Sequence, residues 1–276
     1  MRLTTCFLLI FLAFQNASGL NQGTGATQSN SRFVASIRLR NQDQENFGSG
    51  FLCAGTLISD RNVLTAASCV SNYQISEIQI ALGNPDMSRR NFVSNVNNIT
   101  IHSNFKAGNV LLDNIAILRM TSNIRNDNRG RYRRNRNSHI QPISLDNSPP
   151  PAALTSCTFY AWGHEPIIVQ AGLTVWQDNA CVNSTTGTFC AGNINNGPAA
   201  CNRNLGGPFV CNNRLSGFAI RVPFECNPPV GPGYFHTIAH YREWIGHSSA
   251  KAFTLSLFVV LSSVNAQFII LSLIHI

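Results

Sequence analysis

Cys201-Asn202-Arg203-Asn204-Leu205-Gly206-Gly207-Pro208-Phe209-Val210-Cys211 is the stretch on which the reading of this chain turns. Two cysteines bracket it, a Gly-Gly-Pro turn fills its middle, and Phe209 to Cys211 leads out as a short strand. The same pattern recurs along the chain: Phe33 to Arg40, Leu52 to Ile58, Ile78 to Leu82, Ile115 to Met120, Cys157 to Gly163 and Leu215 to Val222 are short runs divided by Gly, Asn, Pro or Ser clusters. This is the patterning of an all-β protein. Helical spacing shows near Ile238 to Ile245.

The quoted stretch resembles the nucleophile loop of trypsin-like serine proteases, which runs Cys-x-Gly-Asp-Ser-Gly-Gly-Pro. Leu205 stands where the reactive serine belongs. Val63-Leu64-Thr65-Ala66-Ala67-Ser68-Cys69 resembles the segment carrying the general base, with Ser68 in place of histidine. Asn114-Ile115-Ala116-Ile117-Leu118 resembles the segment carrying the orienting aspartate, with Asn114 in its place. Asp113 is one residue away, and a one-residue shift on a strand turns a side chain to the opposite face.

The family's route needs an oxygen nucleophile, an imidazole to take its proton, and a carboxylate to hold the imidazole. Leucine cannot attack a carbonyl, a serine hydroxyl does not accept the proton at neutral pH, and asparagine carries no charge. The sequence therefore leads to the expectation that the chain is not an enzyme. Among family members it resembles the noncatalytic ones, azurocidin and the insect serine protease homologues; azurocidin shares the Ala-Ala-Ser-Cys replacement. The alternative is a serine-type endopeptidase with residual or unorthodox activity, for which Ser68 is the candidate hydroxyl.

The resemblance runs from about Leu20 to Gly246, through Phe33 to Ile37, Ala161-Trp162-Gly163, Phe189 to Gly192 and Pro232 to Phe235. It implies two six-stranded antiparallel β-barrels closed by a C-terminal helix. It also implies four disulfides: Cys53 with Cys69, Cys157 with Cys211, Cys181 with Cys190, and Cys201 with Cys226. Leu20 falls at the position of the family's activating N-terminus, and its aspartate partner is replaced by Asn204. Arg203 replaces the glycine whose N–H helps bind the oxyanion, the electrostatic contribution that is usually largest in acyl transfer. Ala199 lies at the pocket base, and Ile220, Arg221 and Val222 occupy the strand along the specificity pocket, where a branched residue in place of glycine is expected to narrow entry.

The 276 residues suit one or two globular domains. Residues 1–19 look like a secretion signal: Arg2, an apolar run from Cys6 to Phe14, then Ala17-Ser18-Gly19. Removing them takes Cys6 from the nine cysteines and leaves an even number for an oxidising compartment. The histidines and cysteines show no paired zinc spacing, and no cofactor is implied. Asn98-Ile99-Thr100 and Asn183-Ser184-Thr185 are glycosylation acceptors.

Formal charge is +8, and Arg125, Arg129, Arg131, Arg133, Arg134 and Arg136 lie close together, relieved by Asp127, in what reads as an inserted loop about residues 124–138. Three readings stay open for it: a solvated charge run, a polyanion site, and a processing site at Arg131-Tyr132-Arg133-Arg134. Tyr132 alone makes no stacking platform for specific nucleic-acid binding. Residues 247–276 form an apolar tail beyond the family fold; it reads as an anchor signal, a membrane span, an unmodified tail or an artefact of the gene. The expected role is secreted or surface-tethered binding in innate immunity, to anionic glycans, lipid or microbial surfaces, or to an active protease or its inhibitor.

Overall fold

The computed structural model describes residues 23–125, 139–162, 166–182, 184–193, 200–201, 203–224 and 231–250. The secretion-signal segment and most of the arginine run lie outside these residues, as do Ala199, Asn183, Cys226 and all of the tail beyond residue 250.

Six strands close the first barrel: β2 (Val34–Leu39), β3 (Phe51–Leu57), β4 (Asn62–Thr65), β5 (Ile78–Leu82), β6 (Phe92–Ile101) and β7 (Ala116–Met120). They follow one another around the wall in the order β2-β3-β4-β7-β6-β5, all antiparallel. Alternation dictates which side chains point inward. In Ile78-Gln79-Ile80-Ala81-Leu82 the first, third and fifth are buried, and this is the period-two pattern of a half-buried strand.

The second barrel is built from β8 (Ser156–Trp162), β9 (Ile168–Val175), β10 (Thr188–Gly192), β11 (Pro208–Cys211), β12 (Arg214–Arg221) and β13 (Gly233–Thr237). Pairing of β8 with β9 closes the ring, and a two-residue strand, β1 (Thr24–Gly25), adds to β9 at Gln170 and Val169. Phe159, Phe189, Phe209 and Phe235 fill this barrel, with ring centroids of successive neighbours 5.1 to 5.4 Å apart. Burial of each ring is worth roughly 1.5–3 kcal/mol.

Two helices complete the described fold. A short one, α1 (Arg40–Glu45), is below the length at which a helix stands alone. It is held by Asp43, whose carboxylate accepts hydrogen bonds from buried Arg38 and from the N–H of Gly50 at 3.0 Å. The second, α2 (residues 238–250), starts where the helical spacing predicts. It buries Ile238, Tyr241 and Ile245 in a core shared with the first barrel and with Phe218 and Ile220 of β12. The barrels are thereby locked together along the cleft.

Disulfides Cys53–Cys69, Cys157–Cys211 and Cys181–Cys190 form as the resemblance implies. Cys201 is also disulfide-bonded, and its expected partner, Cys226, lies outside the described residues. Loop closures of this kind are worth about 3 kcal/mol each. Asn98 lies on β6, exposed beside a register shift between Val96 and Asn98.

Candidate functional site

Ser68 lies in a 3-10 turn, Ala67–Cys69, directly after β4. The turn is pinned by the disulfide from Cys69 to Cys53 of β3 and by the Cys69 N–H donating to Ala66 O at 3.1 Å. Asn114 precedes β7 and is fully buried. Its Oδ1 accepts the backbone N–H of Ser68 at 2.8 Å. Its Nδ2 faces Ser68 Oγ at 3.1 Å, Val110 O at 3.0 Å and Ile220 O at 3.3 Å. Three acceptors share two hydrogens. A carboxylate has no hydrogen to give, so asparagine here ties the turn, the strand edge and β12 into one knot.

The backbone N–H of Asn114 donates to Nε2 of His236 at 3.0 Å. Since Nε2 accepts, the neutral ring carries its hydrogen on Nδ1, which faces Thr188 Oγ1 at 3.3 Å. Burial pulls the His236 pKa down to about 3; the Gly187 carbonyl opposes this, and His240 and His102 assist it. A hydroxyl beside an imidazole is the elementary unit of nucleophilic catalysis, yet this imidazole is a weak base, fully buried, and its accepting nitrogen is taken.

Around His236 gathers a constellation that the sequence reading missed. Tyr241 OH lies 3.4 Å from His236 Nε2, and His102 Nδ1 lies 3.6 Å from an oxygen of Asp113. Burial, then the charge of Asp113, pushes the Tyr241 hydroxyl pKa upward. Asp113 adopts φ +49°, a left-handed turn that sends its side chain away from the Asn114 position and toward His102. No spacing signal announces this group, because residues from the segment between β6 and β7, from β13 and from α2 meet only after both barrels close.

At the nucleophile position Leu205 packs half-buried against the shared core, and its carbonyl accepts the Ala54 N–H of β3 at 2.9 Å. Asn204 is fully buried. Its Oδ1 accepts the Cys201 N–H at 2.7 Å, and its Nδ2 donates to Trp162 O at 3.1 Å. Gly206, at φ +75°, lets the chain pass against Ala54 O and Thr65 Oγ1, where a Cβ would collide. Arg203 sits at φ +74°. A non-glycine residue there carries a strain of order 1–2 kcal/mol.

Among the pocket positions, Ile220 is buried and gives its carbonyl to Asn114, and Val222 packs partly buried on the second core. Arg221 is exposed, its guanidinium 5.6 Å from the centre of the Tyr234 ring. Of the six arginines in the basic run only Arg125 is described; it pairs with Asp60 at 2.7 Å. Among the described residues no three His, Cys, Asp or Glu side chains converge to hold a metal ion. No described helix is long and apolar enough to cross a membrane.

The structure therefore joins Ser68 and Ile220 through Asn114, and ties Leu205 to β3 through Ala54. Comparison with known proteins gives this geometry its context. The sequence profile of the family described as Trypsin matches residues 20–245. The thrombin-like enzyme contortrixobin of Agkistrodon contortrix contortrix is 31% identical over 71% of this chain and 85% of its own length. Snake venom serine protease 1 of Craspedocephalus gramineus is 27% identical over 71% of this chain and 77% of its own. Among solved structures, mouse neuropsin, a serine protease, superposes with a TM-score of 0.68 at 22% identity, over 83% of this chain and 99% of that one. It supports the fold.

These relatives correct one expectation. The replaced side chains at Ser68, Asn114 and Leu205 suggest that the chain is not an enzyme, whereas the curated relatives spanning most of it are named as an enzyme and a protease. The likeness to azurocidin and the insect homologues rests on sequence motifs alone.

Proposed function

Since this chain belongs to the trypsin family, we propose that it is an extracellular serine-type endopeptidase whose chemistry is unorthodox, with Ser68 as its nucleophile. One observation carries the reading: of the three positions where the family keeps its triad, Ser68 alone bears a hydroxyl, and Asn114 Nδ2 orients that oxygen at 3.1 Å. Attack forms a bond from Oγ to the peptide carbonyl carbon, the C–N bond breaks, and the hydroxyl proton passes through water to the leaving amine. Water then cleaves the ester and restores the serine. With no imidazole on Ser68 the reaction is slow, because a positioned general base contributes about 10²–10⁴-fold. The formed disulfides agree with an oxidising, extracellular setting.

The purified full-length protein is to be incubated with a defined peptide mixture and the products read by mass spectrometry, beside Ser68→Ala. Slow cleavage that Ser68→Ala removes, with phosphonate labelling at Ser68, is the expected result. Cleavage absent, or equal in Ser68→Ala, rejects the proposal.

A second role is supported by the sequence of the basic run from Arg125 to Arg136: binding of anionic glycans, for which the planar guanidinium fork suits sulfate oxygens. Replacing all six arginines by serine is expected to move elution from immobilised heparin to lower salt. An unchanged elution position removes this role from the loop.

A further inference from the structure

A groove of about 450 Å³ opens on the surface, lined by Ile58, the linker residues Pro142, Ile143, Ser144, Leu145 and Asn147, and two arginines, Arg214 and Arg242. The arginines come from separate elements: Arg214 from the hairpin turn opening β12, Arg242 from the exposed face of α2. Neither lies within ion-pair distance of a carboxylate among the described residues; Arg214 makes a long hydrogen bond, 3.4 Å, to Leu145 O. No acidic residue lines the groove. Asp146 sits in an adjoining hollow, with its oxygens engaged by Ser216 Oγ at 2.7 Å and the Ser148 N–H at 3.0 Å.

We propose that this groove binds a sulfate group of a sulfated glycan chain, with Arg214 and Arg242 as the two cationic walls and Ser144 and Asn147 as neutral hydrogen-bonding partners. Two features converge on that ligand. Two guanidinium groups outside ion-pair distance of any described carboxylate favour a multiply charged oxyanion, which each fork can hold through paired N–H donors; Asp146, whose carboxylate feels the charge of Arg214, keeps its own oxygens on Ser216 and Ser148. The groove is concave, which suits a single projecting group on a chain better than a flat lipid surface. The site is distinct from the surroundings of Ser68, since Ser68, Asn114 and Leu205 are not among its lining residues.

The test measures binding of a heparin-derived octasaccharide to the full mature protein by calorimetry, at several salt concentrations. Four proteins are compared: the parent, Arg214→Ser/Arg242→Ser, the six-arginine variant of the basic run, and Arg89→Ser/Arg90→Ser as a charge-matched control. Thermal melts confirm that each is folded. The groove variant is expected to lose about tenfold or more in affinity and to show a shallower dependence on salt, as released counterions fall with each lost contact. Arg89→Ser/Arg90→Ser is expected to stay within about twofold of the parent. Equal affinity in the groove variant and the parent overturns the proposal, as does an equal loss in the control, which would make the effect one of net charge. Binding to anionic phosphatidylserine vesicles but not to the octasaccharide also overturns it.

Discussion

Asn114 holds Ser68 from both sides: its carbonyl oxygen takes the Ser68 backbone N–H at 2.8 Å, and its amide nitrogen gives to the Ser68 hydroxyl at 3.1 Å. Where the family places a charge to steer an imidazole, this chain places an amide that steers a hydroxyl. The exchange is one of chemistry on an unchanged frame, and it exposes the pair to direct tests.

Asn114→Asp keeps the shape and removes two hydrogens. The carboxylate still accepts the Ser68 N–H, but it now faces the carbonyls of Val110 and Ile220 with nothing to donate. Burial of unsatisfied acceptors beside an uncompensated charge costs about 1–3 kcal/mol. Urea unfolding at neutral pH is expected to show that loss, and to recover part of it as the carboxyl protonates on acidification. Parent-like stability at neutral pH contradicts the hydrogen-bond assignment.

His236 makes stability depend on pH. Its folded pKa is depressed to about 3 from an ordinary 6.5, chiefly by burial. Between those values the unfolded chain binds a proton that the folded chain refuses, so the contribution is complete above about 6.5 and falls with pH toward 3. The slope is about 1.4 kcal/mol per pH unit for one proton. Denaturation between pH 6 and 5, where carboxylates titrate little, reads it. His236→Gln is expected to flatten that slope, and an unchanged slope assigns the effect to another group.

Asp43 secures α1 from within the first barrel. Burial raises its carboxyl pKa, but the hydrogen bonds and charge of Arg38, with Gly48 and Gln79, overcome this and hold it below 3.8. Its contribution is therefore present above that value and is lost as pH falls through the folded pKa. Asp43→Asn leaves Arg38 buried without its counter-charge, a change of about 3–5 kcal/mol. The melting temperature should fall sharply; a shift within error means that Arg38 finds another partner.

Arg203 and Gly206, both left-handed, should respond in opposite senses. Arg203→Gly relieves a strained backbone at φ +74° and is expected to stabilise by about 1 kcal/mol. Gly206→Ala adds a Cβ against Ala54 O and Thr65 Oγ1 at φ +75°, which no rotamer can relieve, and is expected to cost more than about 3 kcal/mol. Paired guanidinium denaturation curves read both. A destabilised Arg203→Gly would show that the arginine side chain contributes more than its backbone strain costs.

Local pattern revealed much of the framework. Ile78 to Leu82 alternates cleanly, Leu215 to Val222 is a long apolar run, and Ile238 to Ile245 carries helical spacing; each became the expected element. Other strands were hidden. Phe92-Val93-Ser94-Asn95-Val96-Asn97-Asn98-Ile99-Thr100-Ile101 reads as a polar segment, and it forms β6 because β5 and β7 supply backbone partners along its length. α1 has no apolar stripe and exists through the buried Arg38–Asp43 pair.

The sequence by itself determined the all-β class, three disulfide pairs through the family resemblance, and the identities of Ser68, Asn114 and Leu205 at the site. Its replaced side chains pointed away from enzymatic activity, whereas the relatives that span most of the chain are named as an enzyme and a protease. Tertiary structure alone decided what those side chains do. Only when the barrels close does Asn114 meet Ser68 and Ile220, does His236 accept from the Asn114 backbone 122 positions away, and do Arg214 and Arg242 line one groove. The reason is physical: strand periodicity is a local property that a short window of residues carries, whereas a hydrogen bond or a shared cavity depends on pairings far apart in the chain, which folding selects through burial of both cores together.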